Sequence, residues 1–295
     1  MKPDRSGLNA FGVLDCGGRS LDLSRPCVMG VLNVTPDSFS DGGSYLALDD
    51  ALRRGERMVE QGADIIDVGG ESTRPGSAAI SALEEIDRVV PVITGLASRV
   101  SVPISVDTSK PEVMSAAVSV GAGLINDISA FHHPGALEAA AAAGVPVCLM
   151  HMQGTPANMQ LAPTYDDVVT EVAEFLTQRV HACEAAGVLR DNILLDPGFG
   201  FGKTLEHNLA LLAGLHRLSE LGLPVLVGIS RKSMIGQLTG RDIQDRLAGS
   251  LAAAVLAVER GANVIRVHDP AETRDALCVA WAVHEASGQA QVGDN

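Results

Sequence analysis

Eight short apolar runs, each followed by a longer segment with helical periodicity, constrain this chain more than any other feature. The runs fall at 28–34, 64–68, 104–107, 124–128, 147–150, 193–195, 225–229 and 264–268. They are rich in Val, Ile and Leu, bounded by Gly and Pro, and too short for helices. They are also apolar on both faces except near their ends, as strands covered on both sides must be. In one intervening segment Val168, Val172, Phe175, Leu176 and Val180 keep helical spacing while Asp167, Glu171, Glu174 and Gln178 take other faces. Thr164 with Asp167 is expected to cap its start and Gly187 to stop it. Segments 109–112 and 269–272 open two further helices, each pairing a capping side chain (Ser109, Asp269) with an early proline and an acid in the first turn. Strand and helix alternating eight times without a break in composition predict an α/β fold, a single (β/α)8 TIM barrel rather than two doubly wound sheets. Residues 11–23, with Gly17-Gly18 between short alternating runs, predict an N-terminal β-hairpin plugging the bottom of the barrel. The expected division is a flexible start at 1–10, one barrel domain at 11–287 and a flexible tail at 288–295.

With 295 residues, 46% of them hydrophobic and 20% charged, the chain can build a large core and is not a disordered polymer. Its formal charge of −14 argues against nucleic-acid or membrane partners, since those polyanions would repel it. Five widely spaced cysteines, Cys16, Cys27, Cys148, Cys183 and Cys278, contain no C-x-x-C pair and read as reduced, mostly buried thiols. The first residues lack the apolar stretch of a secretory signal, and the most apolar helical run, 251–258, is too short to span a bilayer. A cytoplasmic location is expected.

Function is written in the polar residues at the C-terminal ends of the apolar runs: Asn33, Asp107, Asn126, Asp127, His151, Asp196, Arg231, Lys232, Arg266 and His268. Each alone can be a helix cap or a satisfied core group. As a set they cannot all be buried unpaired, because each unpaired polar group costs about 1–3 kcal/mol and each unpaired charge more. Closing the barrel brings them to one mouth. Acids, amides and cations on one rim imply a ligand with both a hydrogen-bonding heterocycle and an anionic group. The connections at 35–43 and 69–76, rich in glycine and hydroxyls, have the composition of anion-contacting loops.

Two motifs are false friends. The 196–204 string ends like a phosphate-binding P-loop, but Pro197 stands where the first glycine is required. Its glycines recur at every second residue, so the dinucleotide-binding fingerprint fails too. His132-His133 has no partner at metal-ligand spacing and reads as a loop pair.

The strings at 29–43, 69–76, 105–108, 125–127, 196–204, 230–232 and 266–269 resemble those of the bacterial dihydropteroate synthase family. The resemblance runs from about residue 11 to 285 and departs from the family pattern at 129–133 and at Pro270. It implies condensation of 6-hydroxymethyl-7,8-dihydropterin pyrophosphate with p-aminobenzoate in folate biosynthesis, with Mg²⁺ required. Transferred residue by residue, it assigns the pterin ring to Asp107, Asn126, Asp196, Lys232 and Arg266. The pyrophosphate falls to Asn33, Arg266, His268 and Thr73, with Asn33 as the Mg²⁺ contact. The p-aminobenzoate slot falls to Phe39, Thr73, Arg74, Pro75, Phe201 and Ser233, the last opening a helix whose free N–H groups favour an anion. Lys232, Arg266 and His268 are also catalytic candidates. Asp41, with Asp37 as the alternative, is expected to face a cation developing along a dissociative path. The chemistry agrees with these assignments: a carboxylate suits the guanidinium-like edge of a pterin, and an arginine can lie flat on the ring while reaching a phosphate.

Small molecules are therefore the expected partners, together with a second copy of the chain. A helix over about 242–260, with Ala248, Leu251, Ala252, Val255 and Leu256 on more than one face, suits a homodimer, although burial within one chain explains it nearly as well. The rival readings are a pterin-dependent methyltransferase, which needs no pyrophosphate clamp; a non-catalytic pterin-binding paralogue; and a barrel lyase using Lys232 as a Schiff-base amine.

Overall fold

A computed structural model describes residues 11–34, 44–72 and 79–292 of the chain. It begins with a two-stranded antiparallel hairpin, β1 (Val13–Asp15) and β2 (Ser20–Asp22). Gly17 and Gly18 turn it with φ of +65° and +85°, angles that suit glycine and match the twist of a tight hairpin. Eight parallel strands follow: β3 (Cys27–Asn33), β4 (Ile65–Gly69), β5 (Ile104–Asp107), β6 (Leu124–Asp127), β7 (Val147–Met150), β8 (Ile193–Asp196), β9 (Leu226–Val227) and β10 (Val264–Val267). They form one sheet in the order β8-β7-β6-β5-β4-β3-β10-β9. Between β8 and β9 the sheet meets itself through one bridge, Leu195 to Val225, where the Leu195 N–H donates to the Pro224 carbonyl at 2.9 Å. This is the expected (β/α)8 barrel. The run at 225–229 yields only two ladder residues, because Gly228 onward leaves the sheet to form the rim.

The helices are α1 (Ser44–Glu60), α2 (Ala82–Ala97), α3 (Pro111–Ser119), α4 (Ala136–Ala143), α5 (Val168–Ala186), α6 (Leu205–Ala213), α7 (His216–Ser219), α8 (Ser233–Thr239), α9 (Leu247–Val258) and α10 (Pro270–Val292). Three cap assignments need correcting. Asp167 alone caps α5, accepting from the N–H groups of Val169 and Thr170, while Thr164 uses its backbone to bond Gln153. Ser109 leaves Lys110 at the α3 N-cap and turns its hydroxyl to Asp127. The Asp269 carboxylate pairs with Arg231 instead of capping α10. The helix expected over 242–260 narrows to α9, because 243–245 forms a separate single turn. Helix α10 runs on to Val292, into the stretch expected as a flexible tail, while residues 1–10 lie outside the described residues.

Apolar side chains pack in two places. One cluster lies between sheet and helices and includes Val28, Ile66, Ile93, Val106, Ile125, Leu149 and Leu195. The other fills the lower barrel interior with Cys27, Met29, Ile65, Leu124, Cys148, Leu194, Leu226 and Val264, closed from below by the hairpin's Leu14, Cys16, Leu21 and Leu23. The hairpin therefore plugs the N-terminal end. It docks so closely on the start of β6 that a Cβ at Gly123 would run into the Cys16 carbonyl. With the bottom sealed, strand register decides what reaches the top. Asn33 pairs with Gly69, Gly69 with Asp107, and Asp107 with Asn126, so polar residues far apart in sequence stand side by side.

Candidate active site

A buried ion cluster forms the floor of the open end. Arg266, on β10, donates from Nε to Asp67 Oδ2 at 2.6 Å and from Nη2 to Asp107 Oδ2 at 2.7 Å. Asp67, on β4, is wholly buried, and its Oδ2 also accepts from Asn126 Nδ2 at 3.1 Å. Burial works against the Arg266 charge, but Asp67 and Asp107 outweigh it and hold the guanidinium above its ordinary pKa. Burial pushes the Asp107 carboxyl up to about 7, Arg266 pulls it down, and the neighbouring Asp67 adds to the rise. Asp67 is a residue that the strand-end reading missed. An aspartate within the strand Ile65-Ile66-Asp67-Val68-Gly69 was the available signal, since a carboxylate covered on both faces requires a cation.

Opposite the cluster, the chain leaves β8 through the turn Asp196-Pro197-Gly198-Phe199-Gly200-Phe201-Gly202-Lys203. The three glycines have φ of +67°, +78° and +60°, and a Cβ on Gly198 would strike the His151 carbonyl oxygen. The alternation that ruled out a dinucleotide site thus has its own cause: every second residue is left-handed. This folding turns successive carbonyls towards donors. Gly198 and Phe201 accept from Lys203, Phe199 from Lys232, Gly200 from Gln160 and Gly202 from the Tyr165 hydroxyl. Asp196 is buried and accepts from the Gly198 N–H at 2.7 Å. Burial raises its pKa, against the opposing pull of Lys232.

Lys232 follows β9 as the N-cap of α8, with Nζ 4.6 Å from the centre of the Phe201 ring. Burial lowers its pKa to about 8, with Asp196 opposing and Arg266 adding to the fall. Gly228 is the gap between the two cations, for a Cβ there would stand 3.9 Å from both Lys232 Nζ and Arg266 Cβ. Asp196, Lys232 and Arg266 therefore meet at one mouth.

On the rim, His268 Nδ1 lies 3.1 Å from Ser230 Oγ, which also accepts the His268 N–H. Burial, reinforced by Arg266 and Arg231, lowers the His268 pKa to about 4 and keeps the ring neutral near pH 7. Asn33 is exposed at the end of β3, and Ser233 is exposed at the start of α8. Asp37, Phe39, Asp41, Thr73, Arg74 and Pro75 lie outside the described residues.

Three strand-end residues belong to the frame. Asp127 accepts from Ser109, the Ser129 N–H and the Phe131 N–H. Arg231 binds Asp269, and His151 Nδ1 lies 2.9 Å from Lys203 Nζ. Lys203, seen in the sequence only as the tail of a failed P-loop, is buried beside Asp196. His132 stacks on Phe175 with ring centres 5.6 Å apart. Among the described residues no group of three His, Cys, Asp or Glu could hold a metal ion. Mg²⁺ is commonly held by a few hard oxygens beside substrate phosphates, and the Asn33 amide oxygen, at the exposed end of β3, is a donor of that kind.

Comparison with known proteins places this geometry. The sequence pattern of the family described as pterin binding enzyme matches residues 29–268. The chain is 57% identical over 269 residues to the dihydropteroate synthase of Escherichia coli K12, covering 91% of this chain and 95% of that protein. It is 50% identical over 273 residues to the Haemophilus influenzae dihydropteroate synthase, covering 92% and 99%. Among solved structures, Xanthomonas albilineans dihydropteroate synthase with 4-aminobenzoic acid superposes with a TM-score of 0.88 at 56% identity, covering 92% of this chain and 97% of that one. The Yersinia pestis enzyme in complex with a sulfonamide drug gives 0.89 at 56% identity, covering 92% and 99%. The Xanthomonas albilineans enzyme with 7,8-dihydropteroate gives 0.85 at 54% identity, covering 92% and 98%.

Proposed function

The chain belongs to the pterin-binding enzyme family and, within it, to the dihydropteroate synthases, and from that premise we propose how its own residues perform the transfer. The enzyme joins 6-hydroxymethyl-7,8-dihydropterin pyrophosphate to p-aminobenzoate, giving 7,8-dihydropteroate and pyrophosphate in folate biosynthesis. The observation that carries the residue assignment is the convergence of Asp196, Lys232 and Arg266 on one mouth.

In this reading Asp196 accepts from the N–H edge of the pterin, while Asn126 and Asp107 meet the remaining ring nitrogens. Lys232 donates to the ring carbonyl and N5. Arg266, held from behind by Asp67 and Asp107, keeps its guanidinium plane for the ring and its free N–H groups for the diphosphate. In the reaction the bond from the exocyclic methylene carbon to the diphosphate oxygen breaks, and its electron pair leaves with the oxygen. The dihydropterin ring donates electrons to the resulting cation, which Asp41 or Asp37 faces. The aromatic amine lone pair then closes the carbon–nitrogen bond and the amine releases a proton. Neutral His268 donates a hydrogen bond rather than a full charge to the departing oxygens, and Arg266 and Thr73 supply the rest. Asn33 would hold Mg²⁺ together with the diphosphate, and the chemistry such an ion supplies when bound is neutralisation of the leaving group. Phe39, Thr73, Arg74, Pro75, Phe201 and Ser233 would line the p-aminobenzoate slot, where sulfonamides compete.

We also propose a homodimer in the cytoplasm. The exposed Leu256, Val279 and Val283 on α9 and α10, two helices packed on each other, support the dimer. Among the described residues no helix is long and apolar enough to cross a membrane, and the four buried thiols suit a reducing compartment.

The test is turnover of the two substrates with Mg²⁺, followed by calorimetric titration of pterin pyrophosphate into Asp196→Asn and Lys232→Ala. The wild type forms dihydropteroate, and both variants lose pterin affinity. Folded variants that bind as tightly as wild type would overturn the ring assignment.

A further inference from the structure

Lys203 takes part in no step above, yet it is 3% exposed and closes the turn after β8. Its Nζ lies 2.9 Å from His151 Nδ1 and donates to the carbonyls of Gly198 and Phe201, each at 3.0 Å. Three partners match the three donors of an ammonium, and burial lowers the lysine pKa to about 7 against the pull of Asp196. A buried ammonium met only by neutral acceptors at contact distance is costly. Two apolar contacts could hold a loop more cheaply.

What the charge accomplishes is visible in what hangs on the turn. Gly198, whose carbonyl Lys203 holds, gives its N–H to Asp196 Oδ1 at 2.7 Å. Phe201, whose carbonyl Lys203 also holds, presents its ring to Lys232. The left-handed glycines leave the backbone little stiffness of its own, so these carbonyls need an external anchor. Lys203 also adds its field to Asp196, helping Lys232 oppose the effect of burial on that carboxyl.

We propose that Lys203 is a positioning residue for the pterin site, whose side-chain nitrogen fixes the turn that aims Asp196 at the bound ring and holds the Phe201 ring against Lys232. This rests on the dihydropteroate synthase reading and extends it to a group outside substrate contact. The leaving-group residues Asn33 and His268 lie at the end of β3 and just after β10, not on this turn. Loss of Lys203 therefore weakens ring binding and spares departure of the diphosphate.

The experiment is steady-state kinetics on Lys203→Met, with circular dichroism to verify folding. The expected result is a pterin-pyrophosphate KM raised about tenfold or more with kcat within about threefold of wild type, as loss of binding shared by ground and transition states requires. A folded variant with unchanged KM, or with kcat reduced at unchanged KM, overturns the proposal. Should Lys203→Met not fold, Tyr165→Phe decides, since it removes only the hydroxyl bond to the Gly202 carbonyl on the same turn. A smaller rise in the same KM supports the proposal and none overturns it. Wild-type enzyme that turned over neither substrate would refute the functional reading itself, whereas wild-type turnover with unshifted variants refutes only the role of Lys203.

Discussion

Replacing Arg266 with methionine tests the physical basis of the site most directly. Methionine keeps much of the side-chain volume but removes the cation that bridges Asp67 and Asp107 at 2.6 and 2.7 Å. Removing one partner of a buried ion pair costs about 3–5 kcal/mol, because the remaining charge loses its compensation. Against a native stability of about 5–15 kcal/mol the variant still folds, but narrowly. At about 2–4 °C per kcal/mol for a chain of this size, its melting temperature drops by roughly 6–20 °C. The sign of the pH dependence follows from the carboxyl groups. An acid with a raised folded pKa keeps an extra proton only in the folded chain. Its contribution is complete below the unfolded value, ~3.9 for aspartate, and is lost as pH rises. For Asp107 that loss extends through about 7 even with Arg266 present. Without Arg266 nothing opposes the effect of burial and of the neighbouring Asp67 charge on Asp107, so within pH 5 to 8 Arg266→Met is most stable at pH 5 and weakens steadily towards pH 8. Adding Asp67→Asn removes one of the two charges and restores part of the loss. Differential scanning calorimetry across pH 5 to 8 on wild type, both single variants and the double variant measures each quantity. A single variant that melts with wild type and shows no added pH slope, or a double variant whose losses simply add, refutes the claim that the cluster is held by mutual compensation.

Two other predictions separate the ends of the barrel and the steps of the reaction. Gly123→Ala forces a Cβ against the Cys16 carbonyl beneath the barrel; overpacking of that kind costs about 1–3 kcal/mol, so melting falls by several degrees while KM and kcat, set at the opposite end, do not move. Reduced kcat at unchanged melting temperature would contradict that separation. On the dissociative path, enzyme given pterin pyrophosphate and Mg²⁺ without p-aminobenzoate releases pyrophosphate slowly, as a coupled phosphate assay detects, and its absence would favour direct displacement by the amine.

Much was legible from period and position. Eight doubly apolar runs separated by amphipathic segments have few solutions other than a barrel, because a parallel sheet must be covered on both faces. A strand that ends in a polar residue places that residue at the mouth whatever its sequence separation from the others, so Asp107, Asn126, Asp196, Lys232, Arg266 and His268 could be nominated without coordinates. Gly17-Gly18 announced a hairpin for a local reason as well, the left-handed geometry of a tight turn.

The misreadings share a cause, which is that side-chain partners belong to three dimensions. Ser109 and Asp269 sit where helix caps belong, yet Asp127 and Arg231 lie nearer to them across the fold and offer charge-assisted bonds in place of a cap. Asp127 and Arg231 looked like rim residues and are instead braces. Asp67, the residue that holds Arg266, stands within a strand rather than at its end, and only the register from β4 across to β6 and β10 brings it beneath the guanidinium and the Asn126 amide. Lys203 was invisible as a brace because two of its three partners are backbone carbonyls, which every residue has and no composition reveals. Local periodicity and backbone stereochemistry thus settled the architecture and the addresses of the polar groups. Which of those groups compensate one another, and which remain for the ligand, was decided by barrel closure, because Coulomb attraction and hydrogen bonding act over a few ångströms of space irrespective of distance along the chain.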